Sequence, residues 1–147
     1  MQAANGLERE LRRELNVLRA RAGLRPLRLS RGLASAADSH SKSMARYGYF
    51  SHSSEDGSRF WERIGRFYVK PPGWSVYVVG ENLIQGETDM TAGEIIDGWM
   101  TSPPHRENLL ARTWTEVGLG AVLVSGAPGV YRGHDVAIIT ADFGVRR

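Results

Sequence analysis

Residues 116–144, "EVGLGAVLVSGAPGVYRGHDVAIITADFG", constrain the fold of this chain more than any other stretch. Two apolar, β-branched runs flank a Gly/Pro-rich connection, the pattern of two strands joined as an antiparallel hairpin. Almost everything before them has helical spacing. Leucines at 7, 11, 15 and 18 mark an amphipathic helix over residues 7–22, with Gly23 as its stop. Ser30 is placed to cap a second helix over residues 31–47, with Leu33, Ala36, Ala37, Met44 and Ala45 toward the core and Gly48 at its end. A brief helix, "RFWERIG", follows a turn-forming "FSHSSEDGS". Residues 66–79 read as a loop leading into a short strand before "GENLIQG". Helices over "AGEIIDGWM", opened by Asp89 or Thr91, and over "PPHRENLL", with Pro103 in the first turn, complete the order. Helices first and strands late predict a single α+β domain: a small antiparallel sheet flanked by helices. Residues 1–6 are expected as a flexible tail and residues 7–147 as the domain.

Composition narrows the function classes. A chain of 147 residues has the size of one domain and buries roughly 70% of its unfolded surface. No apolar run is long enough to span a bilayer, so a transmembrane role is not expected. The first residues, "MQAANGLERELRRELN", lack the apolar core of a signal peptide. The absence of cysteine excludes disulfides and thiolate metal sites. The net charge of +3 is unevenly spread: residues 1–31 hold eight arginines and three glutamates, or +5, leaving eleven basic and thirteen acidic residues, or −2, for the rest. Glutamates alternate with these arginines at helical spacing, and no stacking aromatics lie among them. The pattern is that of a basic solvated surface, and no nucleic-acid partner is expected.

The chain has four histidines. His40 lies mid-helix and reads as a satisfied helix histidine. His134, at the start of the last strand, reads as exposed. His52 sits in a polar turn, where binding groups are commonly carried but where an ordinary loop histidine also belongs. His105 opens a short helix, whose positive dipole end favours the neutral imidazole. Glu81 follows an apolar run and Gly80 and is expected to be at least half buried, so it needs hydrogen bonds or a cation. It could serve only to fix the turn, with Asn82 assisting. Spacing alone does not bring His52, Glu81 and His105 together.

Taken as a set, "HSKSMARYGYFSH", "GENL", "GWMTSPPHRENLL", "EVGLGAV" and "ADFG" resemble, in order and spacing, the bacterial branch of the CAP superfamily, or SCP domain. This group includes cysteine-rich secretory proteins, venom antigens and plant pathogenesis-related proteins. The resemblance covers residues 7–144 and implies an α-β-α sandwich. It further implies a cleft where His52 and His105 act as metal ligands beside Glu81, lined by Asn82 and Ser102. Ser102 stands where relatives carry a second glutamate, and Pro104 stands where they carry glycine. Zinc or another divalent cation of modest affinity is the implied cofactor. The functions left open are a binding module for a small molecule or lipid, with a protein or cell-wall partner also possible in kind; a metal-dependent hydrolase with Glu81 as general base; and a scaffold with a structural His/Glu hub. Phe67, Tyr68, Trp74 and Tyr77 are candidates to wall a lipid cleft, against the alternative that they pack on the core. The resemblance implies export to an extracellular or periplasmic location, with a signal peptide removed.

Overall fold

A computed structural model describes residues 1–73 and 76–147. In chain order the elements are β1 (Gln2–Ala3), α1 (Asn5–Arg21), β2 (Arg28–Leu29), α2 (Arg31–Tyr47), α3 (Phe60–Phe67), β3 (Tyr77–Gly86), α4 (Ala92–Met100), α5 (Pro103–Leu110), β4 (Glu116–Val124) and β5 (Val136–Arg146). The hairpin of β4 and β5 forms the centre of one sheet, ordered β1-β4-β5-β3. All of these pairings are antiparallel; β2 adds a short parallel pairing to β4.

The two-residue period of a strand then sorts the helices into layers. Val117, Leu119 and Ala121 of β4, with Ala137, Ile139, Ala141 and Phe143 of β5, pack against Leu11, Leu15, Ile95, Trp99 and Leu109 of α1, α4 and α5. On the opposite face, Val122, Val124, Val136 and Ile138 meet Met44 and Ala45 of α2. Tyr68, just after α3, joins Leu33, Ala36 and Ile64 in a smaller cluster. The result is the expected α-β-α sandwich. Helix α2 lies directly on the sheet because Gly118 and Gly120 present no side chain beneath it. An added Cβ at Gly118 would stand 2.0 Å from the Ala34 nitrogen.

Local signals explain most boundaries. The Ser30 hydroxyl accepts from the Leu33 N–H, and Gly48 closes α2 in the left-handed conformation at φ 71°. Two segments differ from the sequence-based expectation. Residues 2–3 pair with Leu123 and Val122, and α1 begins at Asn5, so the first residues lie along the sheet. Strand β3 does not end before "GENLIQG" but runs through it to Gly86. Gly80 is not a turn residue: a Cβ there would come within 2.8 Å of the Trp114 ring, so glycine lets that indole pack on the strand.

Strand β3 is an edge strand, and side chains cover part of its free margin. Asn108 donates to the Glu81 carbonyl at 3.2 Å, and the Trp99 indole donates to the Leu83 carbonyl at 3.0 Å.

Candidate functional site

Alternation along β3 sends Glu81 and Asn82 to opposite faces, which decides how the site is built. Glu81 points into the α2/α3 layer and is buried; Asn82 points toward α5. His52, in the loop between α2 and α3, places Nδ1 2.9 Å from Glu81 Oε1. The other oxygen, Oε2, accepts from Arg63 of α3 at 2.6 Å. The same guanidinium donates to the His52 carbonyl at 3.2 Å and lies 3.5 Å from Asp142 Oδ2. Asp142 is the residue directly opposite Glu81 on β5.

Two buried carboxyls thus face each other across the ladder with one guanidinium between them. Burial raises the Glu81 carboxyl, but the hydrogen bonds from His52 and Asp142, with the charge of Arg63, outweigh it and leave Glu81 below the usual carboxylate range. Asp142 goes the other way. Burial first, then the neighbouring Glu81 charge, hold it well above its ordinary value, with Arg63 opposing. The pair therefore carries one charge, on Glu81, while Asp142 keeps its proton. Because ionised Glu81 only accepts, His52 donates through Nδ1–H. Its ring, half exposed at the surface, keeps Nε2 on the side away from the carboxylate.

His40 supports this turn from below. It is fully buried, and Nε2–H donates to the Ser51 carbonyl at 2.7 Å, immediately before His52. Its Nδ1 has no partner among the described residues. Protonation there would bury a second cation near Arg63, and burial followed by Arg63 lowers its pKa to about 4, although the Glu81 carboxylate 3.9 Å from Nε2 opposes the shift. Unfolded, the ring takes up a proton near pH 6.5. The unfolded chain binds the extra proton between these values, so stability falls as pH drops from about 6.5 to about 4, by about 3 kcal/mol in total. Asp142 works in the opposite sense, its raised value favouring the fold at low pH. Urea melts of wild type and His40→Gln across that range separate the two: the variant is expected to lose the His40 slope. Parallel curves would remove His40 as its source.

His105 approaches from the other layer. Asn82 Nδ2 donates to its carbonyl at 3.0 Å, and Asn108 bridges Asn82 to β3. Its ring is half buried, and its pKa is lowered first by burial and then by His52. The two imidazoles therefore lie within electrostatic reach of each other around the edge of β3, although one belongs above the sheet and one below. Ser102 takes the cap position of α5, half buried, and makes no side-chain capping bond. Asn82 is fully buried and ties α5 to the sheet instead of lining an opening.

The sequence pattern of the cysteine-rich secretory protein (CAP) family matches residues 12–132. The chain belongs to the CAP family. It does so without a single cysteine. Over 108 residues it is 34% identical to the uncharacterized protein YkwD of Bacillus subtilis strain 168, a match covering 73% of this chain and 39% of that protein. An extracellular protein of Bacillus anthracis containing an SCP domain is 29% identical, with a TM-score of 0.71, over 95% of this chain and 40% of the other. An outer surface protein of Borrelia burgdorferi, at 18% identity, shares the fold with a TM-score of 0.74 over 99% and 98% of the two chains. The CAP domain here therefore spans about two fifths of the first two relatives.

Within this CAP domain the structure joins His52 to Glu81, while His105 stands in the other layer, tied to Asn82 by its carbonyl. It adds Arg63, Asp142, His40 and Asn108, none of which the sequence reading selected. Asp142 had a signal: it is the one carboxylate within the apolar run "VAIITADFGV", and such a group demands a buried cation or a proton. Of the aromatic candidates, Tyr68 is fully buried, stacks on Tyr77 and donates to Glu116 Oε1 at 2.7 Å. It packs on the core. Phe67 is exposed, and Trp74 lies outside the described residues.

Proposed function

We propose that this domain is a binding module acting at the cell exterior, whose contact point is the His52 imidazole at the margin of β3, with His105 contributing from the other layer. The supporting observation is the exposed His52 ring steered by a carboxylate that is itself buried and ion-paired. A buried ionic group is costly, and apolar residues of similar volume are often at least as stabilising. Here that cost orients one surface ring and assigns its proton to Nδ1. The extracellular and outer-surface descriptions of the Bacillus anthracis and Borrelia proteins support the location.

The donor set bears on the metal. Both Glu81 oxygens are engaged, by His52 and Arg63. Among the described residues no three His, Asp or Glu side chains are grouped to hold an ion. Two imidazoles do not fit a resident catalytic zinc with three protein ligands. They suit at most a labile cation, shared with an incoming ligand. Calorimetric titration with zinc chloride is expected to give a weak heat that is lost in His52→Ala and in His105→Ala. Equal heats from all three proteins would take the histidines out of the site.

The same pair supports a hydrolytic reading, ranked second. An imidazole held by a carboxylate is a general base; His52 would then take the proton and Glu81 would orient it. Turnover of a peptide and ester panel, reduced at least about 100-fold in His52→Ala, would raise this reading above the first.

A further inference from the structure

We propose that the outer face of α1, with the segment that follows it, is a docking surface for anionic phospholipid bilayers. Hydrogen bonds in both directions between the Asn16 side chain and the Leu27 backbone, at 3.1 and 2.8 Å, lay residues 25–29 along the helix. Buried Arg19 reinforces this by donating to the Arg25 carbonyl at 2.9 Å. Arg9 and Arg13 of α1 and Arg25 and Arg28 of the segment are thereby exposed on neighbouring elements. Arg9, Arg12, Arg13 and Val17 share a shallow depression of about 550 Å³. The glutamates that alternate with them in sequence offset this face only in part, three against eight arginines over residues 1–31. Glu8 turns inward and accepts from the Ala121 N–H at 2.9 Å, and Glu10 is matched by Arg13 alone. The domain is polarised, +5 over residues 1–31 against −2 elsewhere.

Charge complementarity selects an anionic partner, and the apolar neighbours select which kind. Val17 is 39% exposed and Leu29 54% exposed beside the arginines. A soluble polyanion has no use for them, whereas a bilayer interface takes up both parts. Residues 1–31 contain no aromatic side chain for stacking bases.

The test is co-sedimentation of the 147-residue chain with vesicles of phosphatidylcholine alone and with one quarter phosphatidylglycerol. Binding is expected only to the anionic vesicles and is expected to be lost in high salt. The variant with Arg9, Arg13, Arg25 and Arg28 all changed to Gln is expected to bind several hundred-fold more weakly, roughly fivefold per arginine. Val17→Asp with Leu29→Asp is expected to lose vesicle binding with an unchanged melt. His52→Ala is expected to bind vesicles like wild type, which separates this surface from the histidine cleft. Absence of wild-type binding, or equal binding by the four-glutamine variant, would overturn the proposal. So would polyphosphate held by the double aspartate variant as tightly as by wild type, since the partner would then be a soluble polyanion.

Discussion

Arg63→Ala is expected to cost about 3–5 kcal/mol of stability, a large fraction of what a domain of this size possesses. The guanidinium is the cation facing Glu81 and Asp142, both fully enclosed, and it also holds the His52 carbonyl. Removing it leaves an ionised carboxylate without its counter-charge, and Glu81 must then take up a proton or admit water. Either outcome releases the His52 ring from its fixed orientation. Urea denaturation at neutral pH measures the loss. A loss below about 1 kcal/mol would put the pair in the range of exposed ion pairs and count against a costly buried cluster. A second variant of the cluster separates stability from function. Changing Arg63→Met, Glu81→Leu and Asp142→Leu together is expected to restore most of the lost stability, because no charge is then buried. It is expected to leave His52 unsteered, so the weak zinc heat of the wild type is lost in a well-folded protein.

Gly118→Ala is expected to be comparably damaging, at roughly 3 kcal/mol or more, the upper range for overpacking. The new methyl would meet backbone, not a side chain that could swing aside: the Ala34 nitrogen at 2.0 Å and the Leu33 carbonyl carbon at 2.1 Å. The remedy open to the protein is to lift α2 away from β4. That movement would strain the Ser41 hydroxyl's bond to the Gly120 carbonyl, now 2.8 Å, and would carry His40 away from Ser51. Thermal melts measure the loss, and a matched control is available. Gly93→Ala lies in α4 with only the Thr91 hydroxyl as near as 4.0 Å, and alanine is the better helix former. It is expected to be neutral or slightly stabilising. Equal behaviour of the two variants would show that α2 does not depend on the glycine floor.

The layered fold was legible because its signals are local and periodic. Leucines at 7, 11, 15 and 18, the Ser30 cap and the Gly48 stop each state their element within one or two turns of chain. The hairpin at the C-terminus was visible for the same reason. Strand β3 was shortened in prospect because Gly80 looks like a turn residue, and its real role, giving way to the Trp114 ring, depends on a residue 34 positions later. The candidate site divides along the same line. His52, Glu81 and His105 could be chosen through the family resemblance. Their support could not, since Arg63 and Asp142 meet Glu81 only through helix packing and strand register. The role of Glu81 changes as a result. Its burial and its two partners make it the orienting group of the pair, and the ring at position 52 becomes the chemically available atom set.

The side chains laid over the outer margin of β3 have a consequence for behaviour at high concentration. Asn108 and Trp99 occupy carbonyls that another copy's main chain would otherwise pair with. Growth of the sheet into a continuous ribbon is hindered at those two positions by neutral side chains. The exposed His52 ring can therefore stay open to solvent beside a strand margin that offers fewer free carbonyls for pairing.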